Sequence, residues 1–294
     1  MGYKDILGKI LYRPIRFNNI NKIKKFYKNS KITASKLKKP NSDDRILVLA
    51  PHIDDETIGM GGYILNYGEF IDLIYLTDSN NSNTDSDKIG EIRKKEAIKI
   101  KDITKIKNLE IFPIPNGLVK GYEEDCENRL KKIILENKYN KIFTVSPIDA
   151  HVEHRWVTER LFKVVRDFDF IDEIYLYEVS NLLPNFLINS YLPMDKNIFD
   201  KKAELYNIFQ SQLKDMDFDI YNSLNRGKGI AMGEYSCEFF TKLNLNEFIE
   251  FMEKLDLDDI QKIIPYRIGN NRSFYKVINN EDKAQEEYKR LLKS

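Results

Sequence analysis

The sequence is poor in cysteine and histidine, and it lacks any long hydrophobic run. Only two cysteines occur among 294 residues, too few for a disulfide framework, which fits a reducing cytoplasm. No stretch approaches the roughly 20 apolar residues that a membrane span requires. Charged residues interrupt the N-terminus, so no clean signal-peptide core is present. With 42% hydrophobic and 32% charged residues, the sequence predicts a soluble, folded, cytoplasmic protein.

The net charge is only +1, but it is distributed unevenly. Residues 1–40 contain twelve lysines or arginines and one acid, a net charge of +11, whereas the rest of the chain carries −10. A basic arm on an acidic body indicates an anionic partner such as a membrane surface. The alternative is that the arm packs on the domain with its lysines solvated. No nucleic-acid-binding motif accompanies the arm, so we expect no nucleic-acid partner.

Short apolar segments alternate with helical patterns between residues 45 and 179. This alternation predicts a Rossmann-like α/β fold, with a mainly parallel sheet and helices on both faces. Beyond about residue 185 the pattern is looser and mainly helical. We therefore expect a basic N-terminal arm over 1–44, one domain over 45–240, and a helical C-terminal extension over 241–294 packed on that domain. The predicted strands are 45–50, 71–77, 109–112, 141–145 and 173–179.

All three histidines follow two of these predicted strands. His52 lies just after the first strand, and His151 and His154 lie just after the fourth. Ligands of open α/β sheets bind outside the carboxyl ends of the strands, so the two segments can face one site. Imidazole and carboxylate groups suit zinc or a similar divalent ion, bound by three protein ligands and a water. The sequence therefore predicts a metal centre.

The spacing within the two segments suggests a role for each of these side chains. His52 and Asp55, three residues apart, can converge from one tight turn. Of His151 and His154, one can bind the metal while the other faces the substrate. Asp54 then stands beside the metal-activated water as a general base. Glycines at positions 59, 61 and 62 lack the dinucleotide-binding spacing, which argues against a nucleotide site.

The same two segments resemble the motifs of the PIG-L/LmbE-like zinc-dependent N-acetylglucosamine deacetylases. Pro51-His52-Ile53-Asp54-Asp55-Glu56, followed by Gly59-Met60-Gly61-Gly62, is similar to the opening motif. Asp149 to His154 is similar to the second motif, usually Asp-x-His-Pro-Asp-His. Weaker similarities occur at Ile92–Ala97, Pro115–Gly117 and Lys202–Gln212. The resemblance extends roughly from residue 45 to residue 240.

This resemblance implies a role for each motif residue. His52, Asp55 and His154 would be the metal ligands, and Asp54 would be the general base. His151 would stabilise the oxyanion or protonate the departing amine, and Glu153 would orient His151. Among the departures from the family pattern, Ile53 replaces the common Pro, and Glu153 replaces the usual Asp.

The expected reaction is removal of the acetyl group from an N-acetylhexosamine unit of a small molecule, glycolipid or glycan precursor. Zn²⁺ is the expected metal, and the ligand set also accepts Fe²⁺ or Co²⁺. Asp78, Arg93 and Asn116 are the candidate substrate contacts. The alternatives are hydrolysis of another N-acyl or thiol-conjugate amide, and a non-catalytic membrane- or glycan-binding module with a relic metal site. The basic arm adds a possible location at the inner face of the membrane, and the oligomeric state stays open.

Overall fold

The structure is a computed structural model that describes residues 3–79, 86–213, 216–256, 258–268 and 271–292. Within these ranges, side chains are described except at 3–13, 86–87, 258–259, 271–273 and 275. Among the helices in these ranges, none combines the length and the apolar character needed to cross a membrane.

Helices and strands alternate through most of the described chain. The helices are α1 (Tyr3–Asn29), α2 (Asp55–Tyr67), α3 (Ser86–Thr104), α4 (Glu123–Asn137), α5 (Val152–Val165), α6 (Lys196–Leu205), α7 (Asp219–Met232), α8 (Leu245–Lys254), α9 (Asn271–Asn279) and α10 (Glu281–Arg290). The strands are β1 (Ser35–Lys36), β2 (Ile46–Ala50), β3 (Ile71–Tyr75), β4 (Asn108–Ile111), β5 (Lys141–Val145), β6 (Glu173–Tyr177), β7 (Ser190–Met194) and β8 (Ser236–Leu243).

The strands of the described ranges form one eight-stranded sheet in the order β1-β7-β8-β6-β5-β2-β3-β4. Neighbouring strands are parallel, except that β8 is antiparallel to both β6 and β7. From β2 the chain proceeds to β3 and β4 on one side, then returns to β5 and β6 on the other. The strand order thus reverses between β2 and β5, where open α/β sheets bind their ligands. The predicted α/β fold with a mainly parallel sheet is confirmed.

Strands β2 and β3 are apolar except for Asp72, because both faces of the sheet are covered. All five residues of β2 and all five of β3 are buried. Helix α2 packs close to the sheet, since a Cβ added at Gly59 would lie 2.2 Å from Tyr177 Cδ2, and one at Gly62 would lie 2.2 Å from Met194 Sδ. The absence of a side chain at these two positions therefore allows α2 to pack closely on the sheet.

The region after residue 185 differs most from the sequence-based expectation. It contributes two strands, β7 and β8, as well as helices, and both strands extend the sheet. Pro193 lies within β7, and Glu238 is completely buried within β8. Proline and buried charge are both unfavourable signals for an inner strand, so the local pattern indicated no strand here.

The basic N-terminal segment contains a helix that is packed on the body of the protein. Ile23 and Tyr27 of α1 are buried, and a Cβ added at Gly227 of α7 would lie 2.4 Å from Ile23 and 2.6 Å from Tyr27. The side chains of Lys24, Lys25 and Lys28 are exposed. This agrees with the alternative in which the segment packs on the domain and its lysines are solvated. The domain boundary at residue 44 stays a prediction.

Candidate metal centre and active site

The loop between β2 and α2 carries the first group of site residues. His52, Asp54 and Asp55 are all buried. Asp54 has φ 146° and ψ −24°, in the part of conformational space that favours glycine. Its carbonyl accepts a hydrogen bond of 2.9 Å from the Ile58 amide, which begins α2. A strained non-glycine residue at this point indicates that the aspartate side chain has a use that outweighs the conformational cost.

Asp55 lies at the centre of the group because one of its carboxylate oxygens contacts both buried histidines. Asp55 Oδ2 is 3.0 Å from His52 Nδ1 and 3.3 Å from His154 Nε2. The same oxygen accepts a 2.9 Å hydrogen bond from the His52 amide. The structure thus brings together the three residues predicted to bind a metal, although His52 and His154 come from different strand ends.

The second nitrogen of each of these histidines contacts a buried carboxylate. His52 Nε2 is 2.7 Å from Glu153 Oε2, and His154 Nδ1 is 3.1 Å from Asp149 Oδ2. Metal-binding histidines ordinarily have such a carboxylate on the other ring nitrogen, which fixes the orientation of the ring. This arrangement leaves His52 Nδ1, Asp55 Oδ2 and His154 Nε2 as a coherent set of donor atoms.

The separations of Asp55 Oδ2 from the two histidine nitrogens fit a divalent cation. Ligands bound tetrahedrally to zinc at about 2.0–2.1 Å lie about 3.3 Å from one another. The two donor separations around Asp55, 3.0 and 3.3 Å, match that spacing. His151 also lies nearby, since a ring nitrogen from each of the three histidines falls within 4.8 Å of the others. The donor chemistry and the spacing therefore both suit a metal.

His151 has a different environment from the other two histidines. It caps the N-terminus of α5, where its Nδ1 accepts a 3.3 Å hydrogen bond from the Glu153 amide. Its ring stacks on that of His154, with centroids 4.6 Å apart. Because Nδ1 accepts, a neutral His151 carries its proton on Nε2. Burial and the nearby His154 and His52 lower the pKa of His151 to about 4, which keeps the ring neutral at pH 7.

The charges in the loops have strong mutual effects on protonation. Although burial disfavours its charged form, hydrogen bonds with Asp55 and Glu153 raise the pKa of His52 to about 9. Burial opposes protonation of His154 too, but Asp149 and Asp55 raise its pKa to about 10. The pKa of Asp55 is lowered despite burial, chiefly by the charge of His154. The surrounding carboxylates therefore favour positive charge on both histidines, and a divalent cation can supply that positive charge in place of the protons.

The pKa of the neighbouring Asp54 carboxyl is shifted in the opposite direction to that of Asp55. Burial, followed by the negative charge of Asp55, raises the pKa of Asp54 well above its usual range. His52 and Arg93 act against this increase. A carboxylate with a raised pKa is a stronger base, and Asp54 stands directly beside the donor set in the chain.

Glu153 makes contacts that the sequence did not indicate. Its carboxylate contacts His52 through Oε2 and accepts a 2.6 Å hydrogen bond from the Gly117 amide through Oε1. The contact with His151 is made instead by the Glu153 backbone amide, which donates a hydrogen bond to His151 Nδ1. The side chain therefore orients His52, and a direct effect of its carboxylate on His151 stays a prediction.

Asp149 supports the second loop, and one of its partners lies beyond β6. Asp149 Oδ1 accepts a 2.7 Å hydrogen bond from the His151 amide, and Oδ2 accepts one of 2.9 Å from the Ser180 amide. Asn181 Oδ1 accepts a 2.9 Å bond from the Ala150 amide. The position of Asp149 in the second motif was a usable signal, but no local pattern marks Ser180 or Asn181.

Three residues were predicted to contact substrate, and the structure places them in different surroundings. Asp78 and Asn116 are half-buried in the loops after β3 and β4, and the Asp78 amide donates to Ile114 O at 2.9 Å. Arg93 Nη2 donates to Gln212 Oε1 at 3.1 Å, and Gln212 Nε2 donates to Ile53 O at 3.3 Å. Arg93 is thus linked to the β2–α2 loop through Gln212. Contact of these residues with substrate stays a prediction.

Comparison with known proteins supports both the fold and the motif. Residues 47–165 match the sequence model of the PIG-L family, described as GlcNAc-PI de-N-acetylase. This segment contains both histidine motifs, so the predicted family resemblance is confirmed there. No curated protein sequence matches this chain.

Solved structures with the same fold include two deacetylases and a hydratase. N,N′-diacetylchitobiose deacetylase from Pyrococcus horikoshii is 18% identical, with 83% of this chain and 93% of that chain covered and a TM-score of 0.56. Teicoplanin deacetylase Orf2 is 12% identical, with 69% and 99% covered and a TM-score of 0.54. GalB, the 4-carboxy-2-hydroxymuconate hydratase from Pseudomonas putida KT2440, is 14% identical, with 68% and 96% covered and a TM-score of 0.57. Because this fold carries more than one reaction, the site must decide the function.

Proposed function

We propose that the protein is a divalent-metal-dependent hydrolase that removes the acetyl group from an N-acetylhexosamine unit. The observation that carries this proposal is the donor set formed by His52, Asp55 and His154, with Asp54 beside it. The match of residues 47–165 to a de-N-acetylase family supports the choice of an acetamide as the bond that is cleaved.

The metal would be held by His52 Nδ1, Asp55 Oδ2 and His154 Nε2. When bound, Zn²⁺ or a similar cation polarises a carbonyl oxygen and lowers the pKa of water. Glu153 and Asp149 keep the two imidazole rings in the orientation for binding, because each carboxylate contacts the ring nitrogen that faces away from Asp55.

Asp54 acts as the general base. It removes a proton from the attacking water, whose oxygen then forms a bond to the acetamide carbonyl carbon. The carbon–nitrogen bond breaks, the amine leaves with a proton, and acetate is the second product. The environment of Asp54 favours this role, since burial and Asp55 raise its pKa and so increase its basicity.

His151 acts on the oxyanion or on the departing amine through its Nε2–H group. This group can donate a hydrogen bond to the oxyanion as negative charge develops, or a proton to the departing amine. The backbone amide of Glu153 fixes the tautomer, because Nδ1 is occupied as an acceptor. We expect Asp78, Arg93 and Asn116 to contribute to recognition of the sugar.

The experiment that tests this function measures acetate release from free, nucleotide-linked, lipid-linked and polymeric N-acetylhexosamines. Full-length protein is first stripped with a chelator and then reconstituted with Zn²⁺, Fe²⁺ or Co²⁺. Asp54→Asn serves as the control, since it preserves the size of the side chain and removes the base. Release that occurs only with metal, and is lost in Asp54→Asn, supports the proposal. Other N-acyl compounds and thiol-conjugate amides are the comparison substrates.

Two outcomes would redirect the proposal. Turnover of another amide in preference to every acetylated amino sugar would replace the substrate class. Metal binding without turnover of any amide would favour the non-catalytic module with a relic metal site.

We also propose that the basic segment, residues 1–40, holds the protein against an anionic surface at the inner face of the membrane. Removing α1 would expose the face of α7 that it covers, so substitution is the cleaner test. Lys24→Gln with Lys28→Gln removes two exposed positive charges from α1, and Lys95→Gln with Lys99→Gln is the matched control on α3. Weaker flotation with phosphatidylserine vesicles in the first variant alone supports the proposal, and equal flotation of both contradicts it.

A further inference from the structure

Helix α2 is interrupted one turn after the site residues that begin it. Met60 has φ −146° and ψ 26°, so the helical conformation is broken between Gly59 and Gly61. In a continuous α-helix the amide of Gly62 would donate to the carbonyl of Ile58, four residues earlier. A side-chain pair from two distant elements occupies that place instead.

The pair consists of Lys202 from α6 and Glu238 from β8. Lys202 Nζ donates to Ile58 O at 2.9 Å and to Glu238 Oε1 at 2.6 Å. Glu238 Oε1 accepts a 2.7 Å bond from the Gly62 amide, and Oε2 accepts a 3.0 Å bond from the Tyr63 amide. The missing helical hydrogen bond is therefore replaced by a bridge through the ion pair, an insertion of the kind that bends helices.

This ion pair is fully enclosed, and its hydrogen bonds are nearly complete. Both side chains are 0% exposed. With the Asn225 amide oriented so that its oxygen faces α6, Asn225 Oδ1 accepts from Lys202 Nζ at 3.0 Å, and Nδ2 donates to Cys237 O at 3.2 Å. Lys202 then has an acceptor for each of its three ammonium protons. A buried charge pair persists in a protein interior when its remaining groups are satisfied in this way.

The position of the break gives the pair its significance. The short segment before it, Asp55–Gly59, follows Asp54 and carries Asp55, and Gly59 presses against Tyr177 of β6. Because of the break, this first turn has its own direction, separate from the longer second part of α2. We infer that Lys202 and Glu238 are positioning residues, which hold the first turn of α2 so that Asp54 and Asp55 point into the metal centre.

The inference rests on the metal-dependent function proposed above, and its test measures Co²⁺ binding to the full-length protein. Lys202→Met with Glu238→Leu removes the bridge without leaving an unpaired buried charge. The Gly62 amide can then bond to Ile58 O, which would straighten α2 and move Asp54 and Asp55. We expect an unchanged far-ultraviolet circular dichroism spectrum, Co²⁺ affinity that is lower by about tenfold or more, and an altered visible Co²⁺ absorption band.

The matched control removes a charge pair at the opposite end of the strands from the metal centre. Lys141 Nζ and Asp44 Oδ2 are 2.7 Å apart near the amino ends of β5 and β2. Lys141→Met with Asp44→Asn should leave Co²⁺ affinity and absorption unchanged. A purely structural role for Lys202 and Glu238 would leave them unchanged in the double variant as well, and that result would overturn the inference.

A second variant keeps the inference testable if the double variant does not fold. Asn225→Ala removes one acceptor from Lys202 and leaves the ion pair in place. Weaker Co²⁺ binding by this variant supports a positioning role, and unchanged binding contradicts it. Failure of the unsubstituted protein to bind Co²⁺ would instead overturn the proposed metal centre, and the inference with it.

Discussion

The backbone strain at Asp54 leads to a prediction that separates stability from activity. With φ 146°, Asp54 occupies a conformation that costs a non-glycine residue about 1–3 kcal/mol. Asp54→Gly relieves this cost, whereas Asp54→Ala keeps it. Both substitutions remove the carboxylate, so they lose its repulsion with Asp55 equally. The difference in stability between the two variants therefore reflects the strain, reduced by the greater flexibility of glycine in the unfolded chain.

The expected difference in the free energy of unfolding between Asp54→Gly and Asp54→Ala follows from the strain and from the flexibility of glycine. Glycine makes the unfolded chain more flexible, which offsets about 0.4–1 kcal/mol of the gain. Asp54→Gly should thus be more stable than Asp54→Ala by about 1 kcal/mol. For a chain of this size that difference raises the unfolding midpoint by about 2 °C. Both variants should lose acetate release by a factor of about 10²–10⁴, the usual contribution of a general base.

The measurement is thermal unfolding in the presence of a chelator, paired with an acetate-release assay after metal is restored. Lys138→Gly is the control, because Lys138 also has positive φ, 53°, but lies after α4 and away from the histidine loops. It should gain stability and keep full activity. Equal or greater stability of Asp54→Ala would refute the strain argument, and activity in Asp54→Gly would refute the role of Asp54 as base.

Three further predictions concern the metal centre and the packing beneath it. Asp149→Asn should weaken metal binding by about 10–100-fold, because His154 loses the carboxylate that orients it, and calorimetric titration with Zn²⁺ measures this. Unchanged affinity would show that Asp149 does not support the ligand. Chelation should abolish acetate release and added metal should restore it; activity that survives full metal removal would contradict a metal-dependent reaction. Gly59→Ala should destabilise the protein by about 1–3 kcal/mol in urea unfolding, because the added Cβ would overlap Tyr177, and a neutral effect would show that α2 can shift from the sheet.

The location of the site was predictable because its chemistry is concentrated in two short segments. All three histidines follow strands whose apolar runs are recognisable in the sequence, and parallel strands place their carboxyl ends at one edge. The strand order then puts β2 and β5 side by side. Local sequence and one topological rule were therefore enough to bring His52 and His154 together.

The strands after residue 185 could not be predicted in the same way. Glu238 lies in the middle of β8 and is completely buried, which the residue type alone argues against. Its burial becomes favourable only through Lys202 and the amides of the interrupted α2. Those partners are far away in the chain, so a local pattern holds no information about them.

The sequence by itself determined the α/β fold and which side chains gather at its centre. The tertiary structure alone decided how those side chains are paired: Glu153 with His52, 101 residues away, Asp149 with Ser180, and Lys202 with Glu238 across the break in α2. The physical reason is that hydrogen bonds and ion pairs act over a few ångströms. Whether two distant residues come within that range depends on the packing of the whole chain.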